Sequence, residues 1–323
     1  MSYQAGDTIL DDEYNTFVNS SSSPFGYNHF AGTGSGEYGL GQTQISPVAA
    51  GDTITASHWN SLFTGLDTIS NHTNDTMTTR SAVSAGDTIA IKSAVEADLA
   101  TLAASVAGGC TSATALTTSS AKQSSSSSST WYNSHTVEHS VTFANADKMR
   151  HFFNAGGSIR VSKSRTGNGG SGGSATSKDS NWTGLYSSLG NIDIKAHSTS
   201  RSGSGNTLTT NGLSNGFHDL GTSYTHIIRL TEATSPYTAN RIDVHAKLNA
   251  AVGSATVITV KTTATDGAAD NTYTSGNTSG VNATPDRNGT HRAQIFVTSV
   301  TDAQGLESAI AESSTAVVSN STS

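Results

Sequence analysis

The stretch VTFANADKMRHFFNAGGSIRV, residues 141–161, decides the fold. It reads as strand, short helix, glycine turn and strand. Phe143, Met149, Phe152 and Phe153 supply bulky apolar groups that most of the chain lacks, and Gly156-Gly157 permits a sharp reversal. On either side the period is two. Thr136–Phe143 and Ser158–Ser162 alternate apolar with polar residues, and Gly190–His197, His226–Leu230, Arg241–Leu248, Thr256–Thr263 and His291–Thr298 are further strand candidates. Gly/Asn/Ser clusters at Gly167–Ser174, Ser202–Gly205 and Asp266–Gly280 separate them. Many short strands with turn signals between them predict a mainly antiparallel β-sandwich over residues 131–312. Helices at Ala144–Phe153 and Trp182–Leu189 interrupt it, and residues 313–323 read as a polar tail.

Upstream the pattern is helical. Ala-Gly-Asp-Thr-Ile occurs at Ala5–Ile9, Ala50–Ile54 and Ala85–Ile89. Each copy precedes an amphipathic pattern: Tyr14, Phe17 and Val18; then Trp59, Leu62, Phe63, Leu66 and Ile69; then Val95, Leu99, Leu102 and Val106. Gly is expected to supply a turn, with Asp and Thr bonding the backbone ahead of the helix. Residues 1–110 thus read as a small helical module of turn-helix repeats, and the Ser-rich stretch 111–130 as a linker. The whole chain is expected to be α+β and multidomain.

Composition narrows the functional classes. Ser and Thr number 51 and 47 of 323 residues, charged residues make up 13%, and there are only four Pro. Disordered chains owe their extension to charge and Pro, and coiled coils need far more Ala, Glu, Lys, Leu and Arg. The net charge of −7 gives no nucleic-acid footprint. No apolar run is long enough to span a bilayer, and Met1-Ser2-Tyr3-Gln4 opens no secretory signal. The single Cys110 excludes an intrachain disulfide. With 34% hydrophobic residues, a partner subunit is the natural source of missing burial, and a homo-oligomer is expected.

Catalytic patterns are lacking. His135 and His139 share one strand face but form no His-Glu-x-x-His, and the other nine histidines are scattered. Ser202–Gly205 is a loop, not a nucleophile elbow, and the Asp residues of the β-rich part fall mostly in turns. The expectation is a non-enzymatic chain with no cofactor and no metal.

The 141–161 stretch, followed by Asn181-Trp182-Thr183-Gly184-Leu185, resembles virion structural proteins of marine tailed bacteriophages, cyanophages among them. Tyr14-Asn15, Gly39–Gln42, Ala50–Ile54 and Trp59–Leu62 are similar to the same proteins, so the likeness covers residues 1–75 and 137–195. The chain has Leu40 where that pattern carries Tyr, and residues 80–110 lie outside the likeness. The resemblance implies a multi-copy, tail- or neck-associated component, made in the host cytoplasm and carried in the virion beside other virion proteins. Trp59 and Phe63 are candidates for packing between copies or for an intradomain core. Phe143, Met149, Phe152, Phe153, Gly156, Gly157 and Trp182 are the remaining packing candidates, and Gly167–Lys178 and Asp266–Asp286 are candidate outward loops. The alternative is an adhesive module for a host glycan or receptor, which calls for exposed Trp131, Trp182 and Tyr186.

Overall fold

A computed structural model describes residues 11–22, 25–31, 43–73, 75–87, 92–107, 116–118, 123–126, 133–154, 156–166, 173–268, 274–275, 278–279, 290–300, 312 and 314–322. It is an α+β structure of helices and two six-stranded antiparallel sheets. The chain divides into two compact units, each gathered from three stretches: 1–117, 145–157 and 299–311 in the first, and 118–144, 158–298 and 312–323 in the second.

The first unit holds α1 (Asp11–Asn19), α2 (Tyr27–Ala31), α3 (Ala56–Thr73), α4 (Lys92–Ala107) and α5 (Ala146–Asn154). The apolar stripes explain the packing. Tyr14 and Phe17 of α1 meet Trp59 of α3 at ring separations of 5.5 and 6.1 Å, and Phe63 follows at 6.0 Å. Leu62, Leu66, Ile69, Val95, Leu99 and Leu102 are buried. The described copies of Ala-Gly-Asp make the same turn. Asp52 N–H donates to Ala49 and Asp87 N–H to Ser84, with Gly51 and Gly86 at φ 88° and 95°. That is the left-handed conformation a type II turn requires at its third position. The copy at Ala5–Ile9 lies outside the described residues.

Extended chain leads into each turn, and asparagine carboxamides hold it. Asn15 donates to the Val48 carbonyl at 2.7 Å and accepts from its N–H at 2.8 Å. Asn28 does the same to Ile45 (2.7 and 2.8 Å), and Asn60 to Val83 (2.9 and 2.9 Å). A carboxamide carries one donor side and one acceptor side, so it pairs with a strand-like backbone as a neighbouring strand would. Asn60→Ala is expected to destabilise the unit by about 2 kcal/mol, because both Val83 backbone groups lose their partner. Accelerated exchange of the Val83 amide in the full-length protein is the local check.

The second unit holds β1 (Leu116–Thr118), which reaches into it from the first, β2 (Gln123–Ser126), β3 (Ser134–Thr142), β4 (Ser158–Thr166), α6 (Gly173–Leu189), β5 (Asn191–Ile194), β6 (Thr199–Arg201), β7 (Thr207–Asn211), β8 (Thr225–Thr231), β9 (Arg241–Leu248), β10 (Val257–Thr265), β11 (Thr274–Ser275), β12 (Thr278–Ser279), β13 (Thr290–Val300) and β14 (Ser314–Thr322). One sheet runs β1-β13-β4-β5-β6, with β2 also on β13; the other runs β14-β3-β10-β9-β8-β7. β3 and β10 bury every second residue, which aims His135, Val137, His139 and Val141 inward beside Ile258, Val260, Thr262 and Ala264.

Several expectations are corrected. The polar tail is strand β14, paired along β3 from Ser314↔Thr142 to Thr322↔His135. The Ser-rich linker contributes β2, with Ser124–Ser126 opposite Gln294–Arg292 of β13. Ladder bonds come from the backbone, so apolar side chains are not required of an edge segment. α6 starts at Gly173, inside the stretch read as a loop to Lys178, because the packing of Trp182, Leu185, Tyr186 and Leu189 supports helix beyond the apolar turns. α5 belongs to the first unit and not with the strands.

Candidate functional site

The outward face of the β14–β7 sheet carries a lattice of polar side chains set by register. His226 of β8, His245 of β9, Lys261 of β10 and Glu138 of β3 stand directly opposite one another across four strands. At about 4.8 Å per strand this row spans roughly 14 Å. One step along, Arg229, Asp243, Thr263 and Thr136 form a second row, closed by a 3.0 Å contact between the hydroxyls of Thr136 and Thr263. Arg241 and Lys247 lie on the same face of β9 by its two-residue period.

Cations outnumber carboxylates here. On the six strands of this sheet the charged side chains are Arg229, Arg241, Lys247 and Lys261 against Asp243 and Glu138. Asp243, 6% exposed, is held by Arg229 Nε at 2.7 Å, His226 Nε2 at 2.8 Å and Arg241 Nε at 3.4 Å. One carboxylate therefore answers three cationic or cation-forming groups, and it is no free base. Tyr224 lies under two ammonium groups, Lys261 at 4.0 Å and Lys247 at 4.5 Å from its ring centre. Burial, and then the Glu138 carboxylate beside it, push the Tyr224 hydroxyl up to about 12. His226 stacks on His245 with centroids 4.2 Å apart. Burial, then His226 beside it and the charges of Lys261 and Arg229, bring His245 down to about 4 against the pull of Asp243. The arrangement is net positive, and its buried carboxylate, Asp243, is already held by the cations around it.

The packing candidates lie elsewhere and inside the chain. Trp59 and Phe63 are 2% and 5% exposed, so their stripe is the core of the first unit and not a face left for another copy. Phe143, Met149, Phe152, Phe153 and Trp182 are likewise buried. Gly156, at φ 93°, and Gly157 end α5 by donating to Phe153 and Phe152, and a Cβ on Gly157 would come within 2.5 Å of the Phe152 carbonyl oxygen. Trp182 and Tyr186, 1% and 5% exposed, offer no stacking platform to a sugar. Cys110, Trp131, residues 167–172 and most of 269–286 lie outside the described residues.

Among the described residues no group of three or more His, Cys, Asp or Glu is placed to hold a metal ion, and no helix is long and apolar enough to cross a membrane. No family model, curated protein or solved structure was found to match the chain. Sequence reasoning missed the cationic face. Its one linear signal is the alternation Arg241, Asp243, His245, Lys247 in β9.

Proposed function

We propose that this protein is a non-enzymatic, multi-copy structural component of a tailed-phage virion, associated with the tail or neck. In this reading residues 1–110 are a docking module of turn-helix repeats, and the two sheets form a projecting β-sandwich. The resemblance of phrases within residues 1–75 and 137–195 to virion structural proteins supports the assignment.

The observation that carries it is the division of charge. Residues 1–117 hold eleven Asp and Glu against two Lys and Arg, whereas residues 118–323 hold thirteen against fifteen. A chain so polarised is suited to ordered association with charged neighbours more than to turnover of a small substrate. The test is mass spectrometry of purified, salt-washed particles of the phage that encodes the chain. A fixed number of copies per particle, above one, is expected, and absence of the chain from washed particles would remove the reading. The burial of Trp182 and Tyr186 takes away two of the three aromatics that the adhesive alternative calls for, and an anionic glycan is the ligand the cationic face leaves open to it.

A further inference from the structure

The acidic side of that division carries few cations of its own in residues 1–117. Arg80, 3% exposed, lies in an ion pair with Asp98, and Lys92 pairs with Glu13. Those two are the only Lys or Arg in residues 1–117. Asp12, Asp52, Asp67, Asp87 and Glu96 remain exposed. The Lys92–Glu13 pair joins the first turns of α1 and α4, which places Asp12 on one flank of that junction and Glu96, one turn beyond Lys92, on the other.

The cationic face is its complement. Arg229 and Arg241 keep side-chain exposures of 39% and 35% although both hold Asp243. Thr136, Thr259, Thr263 and Ser140 fill the spaces between the charges with short neutral groups, and the Tyr224 ring packs against the Lys247 and Lys261 ammonium groups. A half-exposed, net-positive sheet face meets an acidic helical surface with complementary charge.

We infer that the outward β8–β9–β10–β3 face of one copy docks the acidic α1–α4 surface of a second copy, in a head-to-tail contact between unlike surfaces. Such a heterologous contact closes into a ring or continues as a filament, depending on the rotation between copies. The inference rests on the multi-copy reading above and names the surfaces that reading needs. An acidic polysaccharide would be attracted to the same lysines. The exposed carboxylates of the chain itself favour the second copy, because they supply a partner at the same abundance as the site.

The test is sedimentation velocity of the full-length protein over a concentration series in low and high salt. Association that weakens at least tenfold between about 50 and 500 mM salt is expected, since exposed charges are screened over a few Å at the higher strength. Lys247→Glu with Lys261→Glu, and separately Asp12→Lys with Glu96→Lys, should each reduce self-association at least tenfold. An equimolar mixture of the two double variants should associate again, because each retains the surface the other reverses onto. Unchanged circular dichroism and melting of each variant establish that folding is intact. A monomer at all concentrations, variants that associate like the wild type, or no recovery in the mixture would overturn the contact. So would retention on dextran sulfate but not neutral dextran, lost with the lysine variant, in a protein that stays monomeric; that result assigns the face to an anionic glycan. Particle mass spectrometry decides the virion reading separately: copies in the particle with no head-to-tail contact in solution remove this inference and leave that one.

Discussion

Asp98→Ala is expected to destabilise the helical unit by about 3–5 kcal/mol, the usual effect of stranding one member of a buried ion pair. Asp98 is 4% exposed and takes four interactions at once. Its carboxylate pairs with the Arg80 guanidinium and accepts from Thr78 N–H at 3.2 and 3.3 Å and from the Thr78 hydroxyl at 3.1 Å. Arg80 in turn lies 5.4 Å over the Phe63 ring and reaches Asp67 at 3.9 Å. One carboxylate on α4 thus fixes the extended chain before the third turn and, through Arg80, the face of α3. Asp98→Asn keeps an acceptor for Thr78 but leaves the cation without its counter-charge, so an intermediate loss is expected. Arg80→Met combined with Asp98→Ala should recover part of the loss, because the buried charge goes with its partner. Urea unfolding of the four proteins gives the order; a single variant within 0.5 kcal/mol of wild type, on the scale of a surface change, would show that the pair does not hold the unit.

The Asn clasps show where sequence reading stops short. Asn15 and Asn60 each stand eight residues after the Asp of their repeat, at Asp7 and Asp52, and Val95 takes that place after Asp87. α1 and α3 therefore each clasp the extended chain ahead of the following turn, and α4 buries a valine at that place instead. The interval was legible once the repeats were aligned, but an exposed-looking Asn in a helix gives no hint of its target without coordinates. Apolar periodicity located α3, α4, β3, β9 and β10, because in each the period is carried by buried side chains. It passed over β2 and β14, whose membership depends on backbone ladders that serine and valine make alike. The cationic face was hidden for another reason. Glu138, His226, His245 and Lys261 are brought into one row by cross-strand register, and a bulge between His226 and Ile228 shifts the phase of β8. No local window contains that row.

Lowering the pH from 7 to 4 is expected to weaken the β-rich unit, and Lys163→Met to strengthen it. Lys163 of β4, 6% exposed, has no hydrogen-bond partner for its ammonium and lies 6.0 Å from the Tyr186 ring centre. Its charge acts on the inward side of β3, where His135 and His139 are fully buried. His135 Nε2 meets Asn320 of β14 at 2.9 Å, whereas neither ring nitrogen of His139 has a hydrogen-bond partner. Thr262 of β10, also fully buried, adds a neutral hydroxyl to this interior. Burial pushes the Lys163 amine down to about 7, and burial together with the Lys163 charge lowers both imidazoles to about 4, with Asn320 partly opposing at His135. All three are bases whose folded values lie below their unfolded ones, so the unfolded chain binds more protons and stability falls as pH falls. For Lys163 the loss accrues from 10.5 down to about 7 and is complete below that. For the histidines it accrues from 6.5 down to about 4. At 1.36 kcal/mol per pH unit, each imidazole then accounts for up to about 3 kcal/mol across its window. Lys163→Met replaces an unpaired buried cation with an apolar chain of similar length and is expected to add on the order of 3–5 kcal/mol at pH 7. Removing that charge also lets the imidazoles protonate at higher pH, so the variant should lose stability over a narrower range in acid. His139→Leu should remove about a third of the acid dependence, since His135 and His245 share that window, and leave the alkaline limb, which belongs to Lys163, in place. Unfolding free energies measured from pH 4 to 9 separate the two contributions, and a Lys163→Met protein less stable than wild type at pH 7 would show that the ammonium is held by a partner and not merely enclosed.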